Sequence, residues 1–319
     1  MQNTAQDSPS SHNQKASTMS ARAHVPPAQQ LTPPSRKPLD PNISDSDGKT
    51  PLHWAVLNNQ IDVTEILLGR QSLDPNIPNT EGETPLHSAV TRNHIEVTKF
   101  LLLRKDLDPN RKDAWGRPPL SIAVERNLCE ITKQLLSRRD VVPHFRDITG
   151  RTLLMQAAIE GQEQIVRLLL ERGGVRYNAR DNDGLTAIAL AAEYSHPKIV
   201  KMLLQMEKIK PDLPDRCGRT PLAWACWAHQ RAAVEMLLER GDVNPDSVDS
   251  EGYSPLMLAL LLGNEEIVRM LLETGMVDPG RLDASGRPAV DRVLHGYQYK
   301  AEWLRLISHE DESGDGAMH

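Results

Sequence analysis

Eleven histidines, three cysteines and 43 aspartates and glutamates are the side chains with which this chain of 319 residues could catalyse a reaction or bind a metal. Both kinds of chemistry need such groups at set spacings. The sequence contains no G-x-x-x-x-G-K-S/T phosphate loop, no G-x-G-x-x-G, no H-E-x-x-H, no C-x-x-C pair and no G-x-S-x-G. It therefore predicts neither an enzyme nor a metal or cofactor site.

Most of the carboxylates belong instead to a repeat with a period of 34 residues. The repeats, numbered one to eight here, are marked by Gly48, Gly82, Gly116, Gly150, Gly184, Gly218, Gly252 and Gly286. Three residues before each glycine stands an aspartate, or Asn79 in repeat two. An aspartate there can accept backbone N–H groups and hold a turn in which the glycine takes a positive φ. A fixed period of this kind is typical of a solenoid of small stacked units.

Each repeat predicts two helices after its turn. Thr50–Pro51 reads as a helix start, with a hydroxyl cap followed by proline at the first helical position, and an apolar helix of about nine residues follows. The second helix shows an i, i+3, i+4 apolar stripe, as at Ile165, Leu168 and Leu169. Its predicted ends are marked by Gly173, Gly241 and Gly275. An extended loop containing proline leads to the next turn.

The order of turn, helix, helix and loop, with Thr-Pro-Leu-His at Thr50–His53 and Thr84–His87, resembles the ankyrin repeat over residues from about 39 to 307. The Asp-Pro-Asn form of the loop, as at Asp74–Asn76, is similar to ankyrin arrays common in filamentous fungi. The resemblance implies a stand-alone, all-α solenoid of stacked helix-turn-helix units joined by hairpin-like loops. It also implies that His53 and His87 brace the turns by hydrogen bonds.

In the ankyrin family, partners usually meet the turn tips and the ends of the first helices, which line a concave groove. These places correspond here to the two residues before each turn glycine, the one after it, and those nine and ten after it; we call them the groove face. Trp, Tyr and Arg most often carry interface energy, and they gather on this face in repeats three to seven. The predicted protein-binding residues are Trp115, Arg117, Arg151, Tyr194, Arg216, Arg219, Trp227 and Tyr253.

An alternative interpretation is that Trp227 and Tyr194 pack against the neighbouring repeat, and that arginine after the glycine is a feature of the family. Trp54 and Trp224, each six residues after a turn glycine, are expected to be half-buried packing residues. Cys226 occupies a small-residue core position, whereas Cys217 is expected to be exposed beside its turn.

Composition predicts three segments. Residues 1–38 are rich in Ser, Gln, Ala and Pro and are predicted to be disordered. Residues 39–309 are predicted to form the repeat domain, with seven full repeats and a degenerate C-terminal cap in which charges such as Asp291 and Arg292 replace apolar or small residues. Residues 310–319 form a polar tail that is expected to be disordered. The array is expected to be a monomer.

The net charge of −6 and the pI of about 6.0 favour direct binding neither to nucleic acid nor to an anionic membrane. The longest apolar run, Leu256–Leu262, is too short to span a membrane. The few, unpatterned cysteines and the absence of an apolar secretory signal predict an intracellular protein. The weak basic signal at Arg36–Lys37 favours the cytoplasm over the nucleus.

These observations predict a non-enzymatic scaffold or adaptor whose partners are one or more other proteins. Two alternatives stay open: a transcription regulator that binds a nuclear partner, and an accessory or regulatory protein of a specialised metabolic pathway.

Overall fold

A computed structural model describes residues 40–288, and within this range the chain forms pairs of helices that alternate with turns and contains no strand longer than an isolated bridge. The first helices of repeats one to seven are α1 (Pro51–Leu57), α3 (Pro85–Thr91), α5 (Pro119–Glu125), α7 (Leu153–Ile159), α9 (Ala187–Glu193), α11 (Pro221–Trp227) and α13 (Pro255–Leu261). The second helices are α2 (Ile61–Leu68), α4 (Ile95–Leu103), α6 (Cys129–Ser137), α8 (Glu163–Arg172), α10 (Pro197–Leu204), α12 (Arg231–Leu238) and α14 (Glu265–Glu273).

The predicted disordered segment at 1–38, the body of the closing cap and the tail at 310–319 lie outside the described residues. Of repeat eight, the structure describes the turn, in which the N–H of Asp283 donates to the carbonyl of Arg287.

Successive repeats stack in two layers, because each first helix packs on the first helix of the next repeat and each second helix on the next second helix. Leu86 and Ala89 in α3 are fully buried, as are Leu135 in α6 and Leu169 in α8. The buried side chains form one continuous core that runs from repeat to repeat. The described chain is therefore an all-α repeat solenoid, in which interfaces between repeats provide most of the stability.

The start of the first helix is fixed by a reciprocal cap that reaches into the next repeat. In repeat two, the N–H of His87 donates to Thr84 Oγ1 (3.5 Å), while the N–H of Thr84 donates to His87 Nδ1 (3.1 Å). The other ring nitrogen of His87 lies 3.1 Å from the carbonyl oxygen of Arg117. His53 makes the corresponding contacts with Thr50 and with the carbonyl of Glu83. The prediction that both histidines brace the turns is confirmed.

The first helices have seven residues, so the prediction of about nine is wrong. In repeat two the reason is Asn93, which follows the helix at a φ of +56°. The N–H of Asn93 donates to the carbonyl of Val90 and that of His94 to Ala89, which closes the last turn as in a Schellman motif. The same position, eleven residues after the turn glycine, has positive φ at Asn59, Asn93, Asn127, Gly161, Ser195, His229 and Gly263.

The loops after the second helices are clamped to the next repeat by side-chain amides. Asn76 Nδ2 donates to the carbonyl of Asp106 (2.7 Å), and Asn76 Oδ1 accepts the N–H of Asp108 (2.7 Å). The asparagine of the Asp-Pro-Asn motif therefore sets the spacing between repeats. Gly173 is the C-cap of α8, as predicted, but Gly241 lies beyond the C-cap of α12, which is Glu239.

Candidate protein-binding face

The groove face is presented by turns of nearly fixed geometry. In repeat three, Asp113 Oδ1 accepts the N–H groups of Trp115 (3.0 Å) and Arg117 (2.8 Å), and Gly116 has a φ of +77°. The same pattern recurs in the other turns, and the eight turn glycines have φ values between +73° and +87°. The predicted roles of the aspartate and the glycine are confirmed, and side chains at the turn tips are held by rigid backbone.

The guanidinium of Arg117 is the centre of a small cluster in repeat three. Its Nε donates to Asp113 Oδ2 (3.0 Å), and one terminal nitrogen lies 3.5 Å from Glu125 Oε2. The guanidinium also lies over the ring of Trp115, 5.0 Å from the centroid, while the tryptophan itself is 60% exposed. Arg117 therefore holds the tryptophan in place, and its charge is already balanced by acidic neighbours.

Arg219 organises a second cluster in repeat six. Its guanidinium lies 5.2 Å from the ring centroid of Trp224 and 5.8 Å from that of Trp227, and its Nε is 3.4 Å from Asp249 Oδ2 in the next repeat. Trp224 also donates from its ring N–H to Asp215 Oδ2 (3.0 Å). Trp227 remains 42% exposed at the end of α11. Two tryptophans thus lie beside one arginine in a single cluster.

Between these clusters, Arg151 forms a looser ion pair. Its Nε lies 3.5 Å from Asp181 Oδ2, without the geometry of a hydrogen bond. The Glu193 carboxyl lies in the field of both groups: burial raises its pKa, the positive charge of Arg151 opposes this, and Asp181 and Asp215 add to the increase. The centre of the groove face therefore carries charges that compensate each other only in part.

A row of backbone hydrogen bonds joins successive turns and breaks at one junction of the described repeats. The N–H of Ala114 donates to the carbonyl of Glu81 (2.9 Å), and the equivalent bond joins each other pair of neighbouring turns. Between repeats three and four, no such bond links Ile148 to Trp115. A Cβ atom on Gly82 would lie 2.7 Å from the nitrogen of Ala114, whereas one on Gly116 would meet no atom within 4 Å.

The arginine before turn four bonds this turn towards repeat five. Arg146 donates to the carbonyl of Gly150 in its own turn (2.6 Å) and to that of Arg180 in the next repeat (2.8 Å). Asn182 Nδ2 also donates to the carbonyl of Ile148 (3.1 Å). Arg180 bonds turn five to itself and to repeat six in the same way, yet the row is intact between turns four and five, so these arginine bonds do not explain the break. Ile148, at the tip of turn four, is 96% exposed. We call the space at the break the gap between turns three and four.

Neither metal chemistry nor a membrane span has a clear location in the described part of the chain. Residues 40–288 contain no group of three or more His, Cys, Asp or Glu side chains arranged to hold a metal ion. Within the same range, each helix is too short or too polar to cross a bilayer.

Comparison with protein families decides what these repeats are. The family model for ankyrin repeats matches three times, at residues 21–113, 120–215 and 205–283, which together span well over half of the chain. The chain belongs to the ankyrin-repeat family. Compared with the curated proteins, the sequence has no match. Ankyrin repeats are in general protein–protein interaction modules, so the expected class of partner is protein.

The ankyrin groove face brings the predicted binding residues together in pairs rather than in one cluster. Trp115 contacts Arg117, and Trp227 contacts Arg219. Tyr194 is exposed at the C-cap of α9, and Arg216 is exposed in turn six. Tyr253 is partly buried and packs against the core, so a packing role explains part of its surface. Arg151 pairs with Asp181, as described above.

Sequence reasoning assigned Trp54 and Trp224 to packing, and the ankyrin array places both beside the turns of the groove face. Trp224 is partly buried, as expected, but it also contacts Arg219. Trp54 is exposed, donates to Asp45 Oδ2 (2.8 Å) and lies 5.3 Å from the ammonium of Lys49. Both tryptophans stand six residues after a turn glycine, and this shared position could have indicated from the sequence that they lie beside the turns.

Proposed function

We propose that this ankyrin array is a non-enzymatic scaffold or adaptor that binds another protein along the groove face of repeats three to six. The observation that carries the proposal is the exposure of Trp115 and Trp227, two large aromatic side chains held in place by arginines. Tryptophan and arginine are the residue types that are enriched in interface hot spots. The eight predicted residues, from Trp115 to Tyr253, remain our candidates for the contact surface.

Rigid turns favour binding, because a surface that is already ordered loses little conformational entropy when a partner docks. A standard interface buries about 800 Å² on each side, which three or four repeats could supply. Arg117 and Arg219 contribute in an indirect way: their charges are balanced by Asp113 and Asp249, so they orient tryptophans and offer their planar faces.

The partner can be captured from the native cell with the purified full chain as bait. We expect the double variant Trp115→Ala/Trp227→Ala to weaken binding of the captured protein by at least about tenfold. Trp54→Ala is the matched control, since Trp54 is 46% exposed but lies in repeat one, outside the proposed surface. Unchanged affinity in a folded double variant, or an equal loss with the control, would contradict the proposed location.

The proposed compartment is intracellular, and the cytoplasm rather than the nucleus. It is supported by three free cysteines, of which Cys226 is buried and Cys217 exposed. We also propose that the protein is a monomer. The alternative hypotheses, a nuclear partner and a role in a specialised metabolic pathway, both require a partner protein to bind the groove face. Imaging of a tagged protein and the identity of the captured partner separate them.

A further inference from the structure

A cavity of about 290 Å³ lies on the groove face at the junction of repeats three and four. Glu125 at the end of α5 forms one wall, and Gln156, Ile159 and Glu160 of α7 and its C-cap form the other. The cavity therefore lies between two first helices at the junction where the neighbouring turns are not bonded to each other.

Two glutamines that line this cavity have a buried amide oxygen without a hydrogen-bond partner. Gln162 is only 7% exposed and lines the cavity, yet its Oε1 accepts no hydrogen bond. Gln156 Oε1 is also unpaired, and its orientation is set because its Nε2 donates to Asp147 Oδ2 (3.2 Å). Both oxygens lie beneath the accessible surface, so the N–H groups of a ligand would reach them only if the amide groups turned outward, and the cost of leaving them unpaired favours that turn.

The charges that line the cavity favour a cation. Three carboxylates, those of Glu125, Asp147 and Glu160, line the cavity together with one guanidinium, that of Arg151, and Glu125 is also paired with Arg117. Arg151 is in turn paired with Asp181 of the next repeat. Apolar surface is present as well, from the partly exposed Ile159, whereas Val124 is fully buried. Acceptors, excess negative charge and apolar walls together match a side chain with a long apolar stem and a cationic end.

A larger cavity of about 380 Å³, between the turns of repeats one and two, does not share this chemistry. There the N–H of Thr80 donates to the carbonyl of Asp47, so the row of turn bonds is intact. None of the described side chains that line it has a buried polar atom without a partner. The cavity at repeats three and four is therefore distinguished from this one by its unpaired polar groups and not by its volume.

We propose that this cavity binds an arginine or lysine side chain from an extended segment of the partner protein. The stem lies against Ile159, and the cationic end donates to the surrounding carboxylates and to the amide oxygen of Gln162 once it has turned outward. This inference rests on the proposed function, because it names the partner chemistry that one part of the groove face selects.

The test is a display selection of random 12-residue peptides on the immobilised full chain, followed by titration of synthetic peptides. We expect the enriched sequences to contain a required arginine or lysine. Replacing it by citrulline or acetyl-lysine, which keep the shape and remove the charge, should weaken binding at least about tenfold.

The protein is changed in parallel at its surface. Glu125→Gln/Glu160→Gln removes two exposed carboxylates of the cavity and should weaken the same peptides to a similar degree. Glu130→Gln/Glu171→Gln is the matched control, because these exposed glutamates lie on α6 and α8, the second helices of the same repeats. The control should stay within about twofold of the unchanged chain.

Each other outcome has a stated meaning. The cavity proposal is overturned if no peptide is enriched, if enriched peptides tolerate the neutral replacements, or if Glu125→Gln/Glu160→Gln binds them as before. Peptides that are lost with Trp115→Ala/Trp227→Ala but kept by the glutamine variant overturn the cavity proposal and leave the proposed function standing. Peptides that are indifferent to both variants count against both proposals.

Discussion

The ring Nε2 of His87 lies 3.1 Å from the carbonyl oxygen of Arg117, one repeat further along the chain. Because Nδ1 of the same ring accepts the N–H of Thr84, Nε2 carries the proton and donates. One neutral imidazole thus ties the cap of α3 to the turn that presents Trp115. Burial of the ring lowers the pKa of His87, and the bond to Arg117 only partly opposes this.

The stability of the array should therefore fall as the pH drops below about 6.5, the ordinary pKa of histidine. His53 and His87 both have a lowered pKa, so in this window the unfolded chain binds more protons than the folded one. Urea unfolding at pH 7.5 and pH 5.0 measures the loss. His53→Gln/His87→Gln, which keeps a capping residue at the third helical position, should lose less stability over this range. A pH dependence identical to that of the unchanged chain would exclude these histidines as its source.

Gly82→Ala should destabilise the fold more than Gly116→Ala. Both alanines would have a φ above +70°, which costs about 1–2 kcal/mol. At Gly82 the new Cβ would also lie 2.7 Å from the nitrogen of Ala114, whose bond to Glu81 must then shift, at a further cost of about 1 kcal/mol. Urea unfolding of the two variants under one set of conditions measures the difference. Equal losses would show that the turns of repeats three and four are closer than described.

Leu169→Ala should lower the free energy of unfolding by about 2–5 kcal/mol, because Leu169 is fully buried in α8 and its removal leaves a cavity. Leu103→Ala is the control, since Leu103 lies at the exposed end of α4 and its loss should change stability by less than about 0.5 kcal/mol. Chemical denaturation gives both numbers. A loss below about 0.5 kcal/mol for Leu169→Ala would contradict the packing of the second helices.

Glu193→Gln should raise the melting temperature slightly at neutral pH. The pKa of Glu193 is raised, first by burial, so its ionised form is less favourable in the folded chain than in the unfolded one. The gain should be less than about 1 kcal/mol, because solvent screens the partly exposed carboxylate and its attraction to Arg151 is also lost. It should shrink as the pH falls and the carboxyl of the unchanged chain takes up a proton. Calorimetry at pH 7.5 and pH 4.5 tests this, and a lower melting temperature at pH 7.5 would mean that the attraction to Arg151 outweighs burial.

The sequence predicted well where one residue meets a local backbone requirement. Asp113 and Gly116 satisfy the turn within five residues, and Thr84 caps a helix three residues away from its partner. Helix length was missed because the residue that ends the first helix, such as Asn93, is recognisable only once its left-handed conformation is considered together with its register.

Features that depend on several repeats could not be predicted in the same way. The balanced charge of Arg219 requires Asp249 from the next repeat, and the gap depends on a missing backbone bond between Ile148 and Trp115. The ion pair recurs as Arg151–Asp181 at the equivalent positions, but which acidic group each arginine meets depends on how the repeats stack. The missing turn bond leaves no mark in the sequence pattern.

The gap between Trp115 and Ile148 also bears on a difficulty that a strictly regular array poses for specific binding. A surface that repeats every 34 residues offers nearly identical binding positions, so an extended ligand could shift from one repeat to the next at little cost in binding free energy. Among the described junctions, this one is unlike the others, so it provides a fixed reference point along the groove face. A ligand that recognises this reference point is bound in a single register along the described repeats.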